Sequence, residues 1–407
     1  MREIPPKLMD RMFNDPFTPD EVKQIRKEVR EFTEREIEPE AYDLGVQEEK
    51  KENFPRHLLD RMAGAGFFRI PFPEKLGGRG LEFPSLSTCV MLEEIAYASN
   101  GLASVVDVHC ILAGHCLEYG SEHIRNNYLK PLMTGEKIGC FATTEPEASS
   151  DLSLRALQTR AVKEGYKWIV NGQKRFISNA CAADFVSALV NTDGRLSELV
   201  IDLNLPGVRV GEPDKKSGNR CQLTSDIYFD NVEVPEQNIV GEVGKGLHIA
   251  LGTLTYGRIG IGATGVGMAQ AALDECVAYM KKREAFGKKI AQYQYWQFTL
   301  AQRLTEIENA RNLYTKAAYR LDKGVEFPEP EAAMAKYYGT QAAGDMARDA
   351  VQIFGGYGFM RQLSHDKSTY KVEQIHRDYK IAEIYEGTNE IQKMIIARNL
   401  FGREFIG

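Results

Sequence analysis

The stretch Ile384-Tyr385-Glu386-Gly387-Thr388-Asn389 offers a carboxylate where it could act as a base. Glu386 precedes a glycine in a turn. Thr388 is suited to cap the helix that the apolar residues Ile391, Met394 and Ile395 announce, so the acid sits at a helix mouth. Alone, such a Glu-Gly pair is usually an exposed turn, because Glu mostly faces solvent. A second acid, Asp107, stands on the largely apolar helix Gly101 to Leu112. It is either a buried aspartate paired to a nearby hydroxyl or backbone group, or a second acid–base group. The segment Cys140-Phe-Ala-Thr-Thr144-Glu-Pro-Glu-Ala-Ser-Ser150-Asp151 is dense in hydroxyls and turn formers. Its composition fits a capped surface loop as well as a ligand loop.

Gly260-Ile-Gly262-Ala-Thr-Gly265 matches the glycine pattern of dinucleotide-binding turns. That pattern needs a strand before it, a helix after it and an acid about 20 residues on. Here the flanks are helical and small residues continue through Gly267, Ala269, Ala271 and Ala272, so a helix closely approached by a neighbour is expected instead. The seven cysteines form no C-x-x-C pair and the seven histidines no H-E-x-x-H. Neither a metal site nor a disulfide framework is expected, and the thiols are read as reduced and mostly buried.

The elements that must position these residues follow in order. Thr18-Pro-Asp-Glu21 reads as a helix start with a capping Thr and Pro at the first helical position, followed by an apolar face at Val22, Ile25, Val29 and Phe32. Helical patterns follow from Pro55, from Pro84 to Tyr97 and from Leu102 to Tyr119. After about Gly139 come short runs rich in β-branched and aromatic residues, from Ala161-Val162 to Ile227-Tyr-Phe229. Asn171-Gly172, Asp193-Gly194 and Asp230-Asn231 read as turns between them. From about Gly246 the chain is helical again, with loops expected only near Gly324 to Pro330 and Gly355 to Lys367. The expected fold class is α+β: an N-terminal helical domain (1–137), a middle β-barrel or sandwich domain (138–245) and a C-terminal four-helix bundle (246–407).

Composition bounds the function. At 43% hydrophobic and 27% charged residues, 407 residues can bury substantial cores. The net charge of −6 leaves no basic footprint for nucleic acid. No segment approaches the roughly 18 uninterrupted apolar residues of a membrane span. Met1 to Pro16 carries Asp10 and Asp15 and no apolar core segment, so no signal peptide and a cytoplasmic location are expected.

Gln352-Ile-Phe-Gly-Gly-Tyr-Gly-Phe359, Arg377-Asp378 and the Glu386 stretch together resemble the C-terminal signature of the acyl-CoA dehydrogenase family. The helix–strand–helix order is similar too, and the resemblance runs from about Phe17 to Phe401. It implies FAD as cofactor, an acyl-CoA thioester as substrate, an electron-transferring flavoprotein as acceptor and a homotetramer. Glu386 would be the catalytic base. Gly257, where the isovaleryl branch carries its Glu, holds no competing acid. Phe141, Thr143 and Thr144 would contact the flavin, and Ser150 the pyrophosphate or the CoA. Phe176 stands where the family often has Trp on the flavin, and Ser178 where it commonly has Thr.

By the same resemblance, Arg283, Phe286, Gln294, Gln352, Gly355 and Gly356 would grip the FAD of a neighbouring subunit, with Thr388 and Glu390 as further cofactor contacts. Arg258, Tyr385 and Gly387 would meet substrate. The chain departs from the family pattern at Glu147-Ala148-Ser149-Ser150, where Gly-x-Gly-Ser is usual, at Thr255, where an Asp is usual, and in extra residues at Leu363 to Thr369. Ala103 replaces the Arg of glutaryl-CoA dehydrogenases, which disfavours a simple glutaryl substrate. Asp107 resembles the second acid of cyclohexene-carboxyl-CoA dehydrogenases, which implies a cyclic acyl-CoA. A short, branched or aryl-substituted acyl-CoA such as benzylsuccinyl-CoA, or an oxidase or reductase of the same fold, is the alternative.

Overall fold

The computed structural model describes residues 17–405, so the N-terminal reading of Met1 to Pro16 lies outside the described residues. Helix α1 (Asp20–Phe32) buries Val22, Ile25, Val29 and Phe32, the face its spacing dictates. Pro19 occupies the N-cap position rather than the first helical one. After α2 (Arg56–Gly64), α3 (Pro84–Ala98) is buried at every residue from Leu86 to Ala98, which makes it a core helix. Ser99 then caps α4 (Asn100–Asp107), accepting from the Leu102 N–H.

Directly after Asp107 the helix widens into a π turn, Val108–Ala113, before running on to Glu118. Among the described residues this 19-residue run is long and apolar enough to cross a membrane, but 94% of it is buried in the protein. His109 fastens it to the strand that follows. The ring donates from Nε2 to the Leu132 carbonyl (3.1 Å) and accepts the Gly139 N–H at Nδ1 (3.3 Å). Burial depresses His109 to about 4, which keeps it neutral for that dual role.

Strands β1 (Gly139–Ala142), β2 (Arg160–Glu164), β3 (Lys167–Ser178), β4 (Phe185–Thr192), β5 (Arg195–Asp202), β6 (Val208–Val210), β7 (Thr224–Pro235) and β8 (Ile239–Val240) form one sheet. Its order is β6-β7-β3-β2-β4-β5-β8, with β1 parallel to β4. Asp193-Gly194 closes the β4–β5 hairpin as expected. Asn171-Gly172 and Asp230-Asn231 do not separate strands, however. They lie inside β3 and β7 as facing halves of one irregularity, joined by the Asn231 N–H to Asn171 Oδ1 (2.8 Å). Asn and Gly tolerate left-handed backbone, and a bulge uses that tolerance as readily as a turn does.

The C-terminal part is organised around α5 (Gly246–Lys282), with α6 (Gln294–Asp322) and α7 (Glu329–Phe354) against it and α8 (Lys371–Ala382) and α9 (Asn389–Phe401) beyond. Its glycines face different partners. A Cβ at Gly262 would come within 2.8 Å of the Ala335 backbone on α7, and one at Gly267 within 2.4 Å of the Glu93 carbonyl on α3. The dinucleotide-like pattern is therefore a packing device in mid-helix. An unforeseen hairpin, β9 (Glu284–Ala285) and β10 (Lys288–Lys289), interrupts the helical part between α5 and α6. Two-residue strands are too short to leave a periodic signal. The seven cysteines are free and buried.

Candidate active site

Tyr385, Glu386 and Gly387 make the turn between α8 and α9, with φ of 54° at Glu386 and 87° at Gly387. Left-handed backbone costs a side-chain-bearing residue roughly 1–2 kcal/mol, so contacts must hold it. Gln392 Nε2 donates to the Gly387 carbonyl (2.8 Å), and the Asn389 N–H to the Glu383 carbonyl (2.9 Å). Thr388 caps α9 by accepting the Ile391 N–H (3.3 Å). The Tyr385 hydroxyl meets Ser104 Oγ of α4 (3.1 Å), and Asn219 Nδ2 donates to the same Ser104 oxygen (3.1 Å).

Ser104 and Asp107 are one helical turn apart, so the residue that fixes Tyr385 and the one that meets Glu386 share a face of α4. Asp107 is 1% exposed. Glu386 as a residue is half-buried, but its Oε2 is sealed from solvent, and apart from each other the two acids give Oε2 and both Asp107 oxygens no partner. Burial pushes both carboxyls up. Asp107 rises well above the carboxylate range because the Glu386 charge and hydrogen bond add to burial. Glu386 rises too, but the Asp107 hydrogen bond, Lys336 and Arg258 favour its anion. Of the two, Asp107 is therefore the acid that favours its proton and Glu386 the one whose anion is favoured.

Arg258 of α5 is 5% exposed, and its Nε and Nη1 have no hydrogen-bond partner. It faces Glu329 and Glu386. Burial lowers its affinity for the proton, though a guanidinium stays charged. Thr255, in place of the usual Asp, turns back to the Leu251 carbonyl (2.8 Å).

The two flavin-like stretches form one platform. The Arg175 N–H donates to the Thr144 carbonyl (2.9 Å), and Lys174 Nζ reaches both the Thr143 carbonyl (3.3 Å) and Glu145 Oε1 (2.8 Å). Lys174 and Glu145 are buried, a pair that sequence reading passed over. Phe176 lies two residues before the end of β3 at φ 58° with 58% of its surface open. Phe141 is buried, whereas Thr143, Thr144 and Ser178 are half-buried. Ser150 is exposed, and its neighbour Ser149 holds φ 52°, a glycine-like backbone at the position where the family usually has Gly.

Another set lies on the surface of the C-terminal helices. Arg283 caps α5, Phe286 tips the hairpin at φ 49° and is 98% exposed, and exposed Gln294 starts α6. The Arg283 guanidinium lies over the Tyr357 ring (5.5 Å), which joins the hairpin to the exposed Gln352, Gly355 and Gly356 at the end of α7. A Cβ at either glycine would meet nothing. Glu390 is exposed beyond the Thr388 cap. Thr369, the last of the extra residues, lines a cleft with Arg361, Tyr370, Glu34 and Tyr42.

Family models for the acyl-CoA dehydrogenase N-terminal domain, middle domain and C-terminal domain match residues 19–136, 140–232 and 244–401. The chain belongs to the acyl-CoA dehydrogenase family. This acyl-CoA dehydrogenase is 40% identical to a 3-(aryl)acrylate reductase of Clostridium sporogenes, covering 92% of this chain and 97% of that one. It is also 40% identical to an acyl-CoA dehydrogenase of Bacillus subtilis (93% and 97%). Identity is 39% to a caffeyl-CoA reductase–Etf complex subunit of Acetobacterium woodii (92% and 97%).

Among solved structures, a glutaryl-coenzyme A dehydrogenase in complex with glutaryl-CoA superposes with a TM-score of 0.89 at 35% identity, covering 97% of this chain and 98% of that one. A glutaryl-CoA dehydrogenase of Mycobacterium smegmatis in complex with FADH2 does so with a TM-score of 0.87 at 25% identity (97% and 98%). Membership makes the protein an oxidoreductase of acyl-CoA thioesters with FAD as cofactor. The site fits such a group: an open aromatic face at Phe176 flanked by hydroxyls, and glycine backbone free to approach a phosphate.

Sequence reading missed Ser104, Asn219, Lys336 and Asn389 as site residues.

Proposed function

We propose that Glu386 abstracts the α-proton of an acyl-CoA whose β-hydrogen leaves as hydride, giving an enoyl-CoA. The carboxyl pair supports this reading: burial and Asp107 bear on Glu386, which is raised while Lys336 and Arg258 favour its anion. Burial raises the base strength of Glu386 toward that of a thioester α-carbon, which a solvated carboxylate cannot approach. The Glu386 backbone N–H would receive the thioester oxygen as it gains charge, a contribution of about 2.7–4 kcal/mol per donor. Phe141, Thr143, Thr144, Phe176 and Ser178 would hold FAD, which would supply the hydride acceptor. Arg258 offsets negative charge in the pocket, and Tyr385 and Gly387 shape it.

The finer reading is a cyclic acyl-CoA. In a 1,4-dehydrogenation the proton and the hydride leave the two ring carbons that flank the C=C, and a conjugated diene results. The α carbon of such a ring bears no hydrogen, so on this reading Asp107, having passed its proton to Glu386, would be the base that takes the single ring proton. A second reading, reduction of an aryl-substituted enoyl-CoA, is favoured by the neutral Asp107, a ready proton donor, and by the two reductases among the relatives. A homotetramer, an electron-transferring flavoprotein partner and a cytoplasmic location complete the proposal.

Anaerobic addition of butyryl-, octanoyl-, glutaryl-, benzylsuccinyl-, cyclohexanecarboxyl- and cyclohexenecarboxyl-CoA to the FAD-loaded protein tests it. Bleaching of the flavin band by a cyclic thioester alone supports the first reading. Bleaching only by a straight-chain or aryl thioester removes it.

A further inference from the structure

Lys336 lies on α7 with no exposed surface, and its Nζ donates to Asn389 Oδ1 at 3.0 Å. Asn389 Nδ2 donates in turn to the Thr340 hydroxyl (3.1 Å), which donates to the Lys336 carbonyl (2.9 Å). The loop of contacts closes on Lys336 itself. It anchors the residue three positions beyond Glu386, on the other side of the turn from Ser104 and Tyr385.

A buried ammonium is expensive unless a negative charge repays it. The groups facing it are Glu386, Glu383 and Glu390, with Arg258 opposing. Glu386 is the foremost of the acids. Desolvation brings the amine down to about 7, so near neutral pH its charge depends on that carboxylate. Glu386 for its part faces Asp107 from α4, Arg258 from α5 and Lys336 from α7. Asp107 is raised by burial and by Glu386.

We propose that Lys336 is a positioning residue whose ammonium, held by Asn389 behind the Glu386 turn, makes Glu386 rather than Asp107 the ionised member of the pair. This rests on the reading of Glu386 as the base. In the FAD-loaded protein without substrate, the infrared band of the protonated carboxyl, assigned with Glu386→Gln and Asp107→Asn, reports each acid against pH. Lys336→Met should move the Glu386 midpoint up by about one unit or more, and Lys336→Arg should restore it. Asn389→Asp, which pairs the ammonium away, should move it the same way and decides the matter should Lys336→Met fail to fold.

An unchanged Glu386 midpoint in folded Lys336→Met, or in Asn389→Asp, overturns the proposal and leaves Lys336 a packing residue. Turnover retained by Glu386→Gln would instead remove the base assignment and is read separately from the infrared result.

Discussion

A Cβ added to Gly257 would stand 2.0 Å from Glu386 Oε2 and 2.9 Å from Leu112 Cδ2. The Glu386 carboxylate is therefore seated against the bare backbone of α5. Gly257→Ala gains roughly 1 kcal/mol of helix propensity, which offsets much of the 1–3 kcal/mol that overpacking costs. Thermal stability should change little, whereas displacement of the carboxylate should lower kcat about 100-fold. Melting temperature and kcat measured on one preparation check this: equal losses in both would mean that the glycine serves packing alone.

The carboxyl pair predicts a split between two variants. Glu386→Gln removes the base and should cost a factor of about 10²–10⁴ in kcat at unchanged FAD content. Asn at 107 can still donate to the Glu386 carboxylate, so Asp107→Asn should keep straight-chain turnover within about tenfold while abolishing that of a cyclic thioester. Cyclic turnover that survives Asp107→Asn would make the aspartate structural.

These sites were unequally legible in the sequence. The Glu386 turn was readable because acid, glycine, cap and apolar pattern all lie within a few residues. Asp107 could be singled out as an acid on an apolar helix, but its pairing with Glu386 depends on α4 crossing α8 and α9, a tertiary fact that no local pattern carries. The helix–sheet–helix order followed from periodicity. Asn171-Gly172 was misread because one backbone preference serves both turns and bulges. The hairpin at Glu284–Lys289 was too short to register, and Lys336 looked like any helix lysine until Asn389 folded against it.

Glu198 predicts a pH dependence of stability unrelated to catalysis. It lies wholly buried in β5, accepts from Ser187 Oγ (2.9 Å), and burial pushes it up to about 8. Its folded value exceeds the unfolded one of about 4.3, so the native state binds the extra proton. The stability it confers is present below the unfolded value and is lost as pH rises through about 8. Glu198→Gln should therefore melt close to wild type at pH 5 and above it at pH 9, by on the order of a few kcal/mol. Parallel melting curves at both pH values would show that Glu198 does not titrate in this window.

Phe286, 98% exposed at φ 49°, buries nothing within its own chain. An aromatic ring left in water on strained backbone gains nothing from folding, whereas one laid on a neighbouring subunit recovers about 1.5–3 kcal/mol. Arg283, stacked on Tyr357 beside it, has a guanidinium free to meet a phosphate in two places at once. Arg283→Ala should lower the FAD retained per chain severalfold and leave the melting temperature of the FAD-free protein unchanged. Phe286→Ala should weaken subunit association, read as molecular mass by light scattering at low micromolar concentration. A monomeric wild-type protein that holds one FAD per chain would show that each chain completes its own cofactor site, and both assignments would then fall together.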